Sequence, residues 1–439
     1  MPVVNRARIR GGLGVLSVRS FRNVFLAQSV SVLGDGITPI ALTFAVLDLT
    51  GSGTDLGLVL AAQSLPLAAL ALVGGVWADR LPRATLMVAS DLIRATVQAA
   101  AAALLFTGTA QVWHLAGLAA LHGSAEAFFR PAAGGLLPQI LPPARLQQAN
   151  ALMGMSDNFG WMVGPAIAGT LVALIGAGGA IAFDSITFLV SAAFLARLRV
   201  PAVSRDRDAK GFLTELRAGW SEVRSRTWLW VMLLRACLVL CIVIAPFQVL
   251  GPLGLAEQGR SSAETATAWG ILQAVFSAGM IAGAAFAMRY RPTRPMVLVT
   301  LMGTTAVAAP LTLALGGGAT ALGAVYVTRG VGVGVLAAVW NTTIQTQVQG
   351  EALGRVIAWD WMASLALWPA GLALAGPLAQ AFGVAATCWV SALLGLVASV
   401  WVLFVKDVWR LHPAAALAPV LAGAPAAVAA TPAAAPPRD

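Results

Sequence analysis

Twelve apolar stretches follow one another along almost the whole chain, separated by short polar connections. Each is at least as long as the roughly 17 residues that carry a helix across a bilayer. The first six run Val24–Leu47, Gly57–Val76, Ala84–Phe106, Val112–Phe128, Ala149–Leu174 and Ala177–Ala196. The next six run Trp228–Leu250, Thr265–Met288, Pro295–Leu315, Thr320–Trp340, Val356–Ala379 and Gly383–Val405. Backbone groups in lipid must be paired within their own segment, so these runs are expected to be helices. Charged residues make up 10% of the chain, well short of the roughly 25% that covers a soluble domain. The fold class implied is an all-α membrane protein of twelve transmembrane helices.

The positions of the basic residues orient it. Of 28 Lys and Arg, Arg260 alone falls in an odd-to-even connection, and Arg94, Arg235 and Arg329 fall within spans. The other 24 lie in the tails and the even-to-odd connections, which the positive-inside rule places in the cytoplasm. The net charge of +10 is therefore a topology signal, and no basic recognition module for nucleic acid is present. The expected organisation is a cytoplasmic tail (1–20), a six-helix half (21–200), a linker (201–227), a second half (228–405) and an Ala/Pro-rich disordered tail (406–439). Within the linker, the segment beginning Phe212-Leu213-Thr214-Glu215-Leu216-Arg217 has the pattern of an amphipathic helix on the inner leaflet. The expected location is the cell (inner or plasma) membrane, multi-pass, with both termini cytoplasmic.

Paired six-span halves are a feature of transporters built by repetition. The Gly164-Pro165-Ala166 string of span five has an echo in Trp368-Pro369-Ala370 of span eleven. After span two comes Gly75-Val76-Trp77-Ala78-Asp79-Arg80-Leu81-Pro82-Arg83. An acid beside two bases in a tight turn suits a latch, with Asp79 at a helix N-terminus and arginines bridging to neighbouring helix ends. This string resembles the signature loop of the major facilitator superfamily, G-x-x-x-D-R-x-G-R, with Pro82 in place of the second glycine. Gly75, Asp79, Arg80 and Arg83 are its gating residues by that resemblance.

Span five carries Gly160-Trp161-Met162-Val163-Gly164-Pro165-Ala166-Ile167-Ala168-Gly169. Small residues four apart let helices approach closely, and Pro165 frees a backbone carbonyl. The string resembles the superfamily's antiporter motif, G-x-x-x-G-P-x-x-G-G, through Gly160, Gly164, Pro165 and Gly169, with Ala168 departing from it. Further strings are similar to the branch of enterobactin-type siderophore exporters and macrolide efflux proteins. They are Ser31-Val32-Leu33-Gly34-Asp35-Gly36, Phe129-Arg130-Pro131-Ala132, Gln148-Ala149-Asn150-Ala151-Leu152 and Gly354-Arg355-Val356. Span four lacks the arginine of the family's second motif, and an Arg329-Gly330-Val331-Gly332 string stands in span ten instead.

Ionisable residues within spans are functional candidates. Asp35, between two glycines expected to loosen local packing, is the first candidate for reversible protonation, followed by Asp184, Asp157 and Glu126. Asp91 and Arg94, three apart, are expected to pair with each other. Arg235 and Arg329 either hold an anionic group in the cavity or neutralise one of the acids. Trp161, Trp340, Trp361 and Trp368 are cavity-wall candidates with Arg329, interface anchoring being the other reading of a tryptophan. No P-loop, catalytic triad or metal spacing is present, and Cys237, Cys241 and Cys388 read as buried thiols. The function this implies is export of a small organic molecule (drug, macrolide or siderophore type) by alternating access, in exchange for protons. A metabolite importer or facilitator, or a lipid flippase of the same fold, are the alternatives. No enzyme activity, cofactor or metal is expected; the partners are substrate, protons and lipid, and the chain is read as a monomer.

Overall fold

The structure, a computed structural model, describes residues 14–198, 212–290, 292–348 and 350–411. The N-terminal arginines, Lys210 and the Ala/Pro-rich segment from Pro413 lie outside the described residues. Helices α1 (Arg19–Thr50), α2 (Gly53–Arg80), α3 (Arg83–Phe106) and α4 (Val112–Ile140) are followed by α5 and α6. The last two share one helical segment, Pro143–Leu195, divided at Gly176 by a left-handed φ of 73°. The linker helix α7 (Phe212–Ser225) precedes α8 (Thr227–Ala256), α9 (Ser262–Ala287), α10 (Pro295–Ala314) and α11 (Ala319–Gln347). The last spans are α12 (Gly350–Ala366 continued by Trp368–Phe382) and α13 (Val384–Phe404), and a short α14 (Lys406–Arg410) ends the described chain.

Ten helical segments among the described residues are long and apolar enough to cross a membrane. One of these, Ala144–Leu195, folds back on itself. Gly164 packs against Gly36 of α1, and Asp184, twenty residues later, packs against Gly34. A straight helix would separate them by about 30 Å, so the chain reverses at Gly176. With α4 added, the arrangement is consistent with twelve crossings. Each odd-to-even connection holds one glycine with positive φ: Gly51, Gly108, Gly176, Gly259, Gly316 and Gly383. These six turns mark one end of the bundle, and the other end carries most of the arginines.

The halves meet at the glycine-turn end. There a single core cluster joins Ile37, Val59 and Ile181 of the first half to Phe247, Trp269 and Leu372 of the second. At the basic end each half has its own cluster, one around Phe21, Met87 and Leu136 and another around Trp228, Met296 and Val356. The molecule is closed at one end and parted at the other. Lipid gives no hydrophobic drive for helix association, so close packing of small residues carries the seam. A Cβ on Gly169 would lie 2.6 Å from the Ala266 carbonyl oxygen, and one on Gly270 2.5 Å from that of Pro165. On the other side of the bundle, Gly57 abuts the Leu372 carbonyl and Gly376 that of Gly53. Thr54 donates to Gln380 Oε1 at 2.9 Å and Ser262 to Asp48 Oδ1 at 2.5 Å.

Within the expected cytoplasmic tail, Gly14–Ser17 forms a 3-10 turn whose Val15 is buried beneath α1. Lys406–Arg410 is helical rather than disordered, with Val408 buried and Arg294 stacked 5.2 Å from the Trp409 ring. Arg130 lies inside α4, not in a connection, since its charge is met by Glu126 one turn earlier.

Candidate functional site

The polar residues of the first half converge on one column between α1, α3, α4 and α6. Spacing puts them there: Asp35 and Thr38 share a face of α1, Asp91, Arg94 and Gln98 a face of α3, and His122 and Glu126 a face of α4. At the centre is Arg94, whose side chain is 1% exposed. Its guanidinium donates at 2.5 Å to Asp91 Oδ1 and at 3.2 Å to Asp35 Oδ1. Phe129 and Phe188 cover it at 4.5 and 4.2 Å from their ring centres. Ser191 donates to the second Asp91 oxygen at 2.6 Å. The expected Asp91–Arg94 pair is present, and it also reaches Asp35.

The four carboxylates have different settings. Asp184 is wholly buried and accepts from Thr38, from Gln98 at 2.7 Å and from Thr187 at 3.0 Å. Glu126 is held by Arg130, which donates twice to one of its oxygens, at 2.5 and 2.8 Å. Asp157 is exposed on α5 and lies in the field of Arg130. Asp35 alone joins the central cluster while keeping its side chain 21% exposed. Among the described contacts, Asp35, Asp91, Glu126 and Asp184 face two arginines, Arg94 and Arg130, and an uncompensated buried ion costs several kcal/mol (on the order of 5).

The glycines beside Asp35 do not loosen packing. A Cβ on Gly34 would strike the Asp184 carboxylate, and one on Gly36 would lie 3.1 Å from the Gly160 carbonyl oxygen. Both let α1 approach α5 and α6. The α5 string has two faces: Gly160 and Gly164 receive α1, while Gly169 receives α9 of the other half. Pro165 has no N–H for the Trp161 carbonyl four residues back. Ser277 of α9 supplies the missing donor at 3.2 Å.

In the last turns of α2, Gly75 has open space around it and Arg80 is exposed. Arg83 donates to the Ala78 carbonyl at 3.4 Å and to that of Gly135, tying the end of α2 to α4. Asp79 sits in the last turn of α2, rather than at a helix N-terminus, and its side chain lies outside the described residues. Trp161 and Trp361 stand 46% and 57% exposed. Trp340 and Trp368 do not stand open: Trp340 donates to Asp360 at 3.3 Å and packs against Trp228, and Trp368 packs on the central core.

The two arginines of the second half neutralise no acid in the described contacts. Arg235 donates to the main-chain carbonyls of Ser399 and Thr300, at 3.2 and 3.1 Å. Arg329, 8% exposed, lies over Phe276 at 4.8 Å and Tyr326 at 5.4 Å. The acids they were expected to meet are in the other half. The reading of the chain overlooked Asp360, His122, Thr38 and Gln98. Thr38 and Gln98 carried a usable signal, being one turn from Asp35 and Arg94 respectively.

Residues 24–372 match the profile of the Major Facilitator Superfamily. The chain is 30% identical over 387 residues to the multidrug efflux pump Tap of Mycolicibacterium fortuitum, covering 83% of this chain and 90% of that one. It is 23% identical to macrolide efflux protein A of Streptococcus pyogenes, again with 83% and 90% covered. The nucleoside transporter NupG matches in fold with a TM-score of 0.68 at 11% identity, over 89% of this chain and 99% of that one. An inward-facing bacterial homologue of ferroportin matches with a TM-score of 0.68 at 15% identity, over 89% and 98%. With two halves closed at one end and parted at the other, and with most of its length matching one family profile, this chain is a membrane transporter of the major facilitator superfamily.

Proposed function

We propose that the chain exports small organic molecules in exchange for protons, with Asp35 as the group where proton and substrate compete. The observation that carries this reading is that Asp35 keeps its side chain 21% exposed while its partner Arg94 is sealed at 1%. A proton on Asp35 removes its charge and weakens its hold on Arg94, which keeps Asp91. The site can then pass through a closed state without carrying an uncompensated ion. Substrate entering beside Trp161 and Trp361 favours loss of that proton, and the halves rock about the seam. The similarity to efflux proteins and the two-faced α5 string support export over import or lipid flipping.

The test is transport of ethidium and a macrolide in inverted vesicles with an imposed pH gradient. Uphill movement that stops when the gradient is collapsed is expected; uphill movement that persists without it rules out proton exchange.

The basic residues support an orientation with the parted end and both termini in the cytoplasm. In intact cells, a membrane-impermeant maleimide is expected to label Gln258→Cys and to miss Lys210→Cys. Strong labelling at 210 would invert the topology.

The α2–α4 tie is the proposed latch. Arg83→Gln loses charge-assisted bonds to two carbonyls, worth about 1.5–3 kcal/mol each when buried. Export by the variant is expected to fall while its level in the membrane holds. Asp79→Asn is expected to act in the same direction. Normal export rates in both variants would leave the loop as a topology signal only.

A further inference from the structure

His122 is 4% exposed, and its Nδ1 has no hydrogen-bond partner. Its ring meets the edge of Phe188 at 5.7 Å, the same phenyl that covers Arg94. Gly123 packs against the Gln63 carbonyl, so this part of α4 is pressed onto α2 and the imidazole has little freedom to leave. Beside it is a small cavity that offers about 10 Å³ to a water's centre. That is about the least a single water needs, and a buried water requires two to four polar partners. Thr38, Gln63, Gln98 and His122 provide them on the cavity wall.

The cavity lies on the glycine-turn side of the charge cluster. From Arg94 the wall climbs α3 to Gln98 and Ala101, and from Glu126 it climbs α4 to His122, Ala119 and Leu115. Thr38 and Gln98 connect it to Asp184. The central path is shut at this end by the seam, and beyond His122 and Gln98 the cavity wall is apolar, formed by Leu42, Ala101, Leu115 and Ala119. The charged groups facing His122 are Glu126 on its own helix and Arg94 on α3, and Asp184 on α6 adjoins the cavity through Thr38 and Gln98. The wall residue from α2, Gln63, is neutral.

We propose that His122 and one water in this cavity form a second protonation site, which exchanges protons with the charge cluster around Asp35. The ligand is a proton carried by water. A ring nitrogen takes a proton from the hydrated cavity, and the other ring nitrogen gives one up to a carboxylate of the cluster, so charge and protons balance at each transfer. Imidazole suits this because it changes charge near neutral pH. The inference rests on the proton-exchange reading but is tested separately from it.

The chain has three histidines, His114, His122 and His412. In the full-length variant H114Q/H412Q, ring-labelled histidine reports His122 alone by NMR. Its resonances are expected to move with pH, with a midpoint displaced when Asp35→Asn is added. Resonances that stay constant at every pH at which the protein stays folded would overturn the site. In vesicles, His122→Gln is expected to lower gradient-driven export of the carried probe by about tenfold or more and to flatten its pH profile. Export with the wild-type rate and profile would overturn the exchange with the cluster. Should the variant fail to reach the membrane, the NMR titration still decides. If wild-type export proves independent of pH gradients, the exchange reading falls by that result, whereas gradient-driven export with a non-titrating His122 removes only this inference.

Discussion

Asp35→Asn is expected to abolish gradient-driven export while leaving the protein folded and in the membrane. Asparagine keeps the volume of the side chain and can still face Arg94, which remains paired with Asp91 at 2.5 Å. It cannot take up or release a proton. A gradient of one pH unit supplies about 1.4 kcal/mol per proton, an approximately tenfold concentration ratio for one-for-one exchange. Without the carrier, that ratio collapses to one. Exchange of labelled for unlabelled substrate, which needs no change of protonation, persists at a measurable rate. A structural role predicts a different pattern, with low expression or with both modes weakened together. Measuring both modes in one vesicle preparation separates the accounts, and intact uphill export by the variant would remove Asp35 from the mechanism.

Much of the fold was legible because lipid imposes strict local rules. Apolar length gives the helices, and basic residues mark one end. The glycines at the opposite end were equally visible in sequence, at least one in each odd-to-even connection. Residues 51, 108 and 176 need left-handed backbone to turn the chain within a few residues, with φ of 62°, 68° and 73°. The site was less legible, since its contacts join helices far apart in sequence. Nothing local announces that Arg94 serves Asp35, fifty-nine residues earlier, as well as Asp91. Gly34 and Gly36 looked like loosening elements because the Asp184 side chain of α6 and the α5 backbone that fill their faces are remote in sequence. Nothing in the sequence around His122 sets it apart from His114 or His412. Its setting comes from the meeting of α1, α2, α3 and α4 around one cavity. Arg235 and Arg329 misled for a related reason, because carbonyls and aromatic faces can hold a buried cation and no sequence pattern distinguishes them from an acid.

Gly376→Val is expected to trap the transporter away from the closed state described above. A side chain at 376 would meet the backbone of Gly53 and Thr54, where α12 crosses α2 with no room for a methyl group. Backbone cannot swing aside as a flexible side chain can. Overpacking of this kind costs about 1–3 kcal/mol, and only the state closed at the glycine-turn end bears that cost. A shift of that size changes the ratio of the two states by about 5- to 150-fold. Alternating access needs both states, so export falls even though no charged residue has been touched. A cysteine replacing Leu372, 3% exposed in the seam beside Gly57, reports the state directly. In a background lacking the three native cysteines, its labelling from the glycine-turn side should rise when Gly376→Val is added. Gly117 of α4 has no neighbour that an added Cβ would meet, so Gly117→Val should leave labelling and export as they were. If Gly376→Val behaves like Gly117→Val, the seam between α2 and α12 is not the surface on which the halves close.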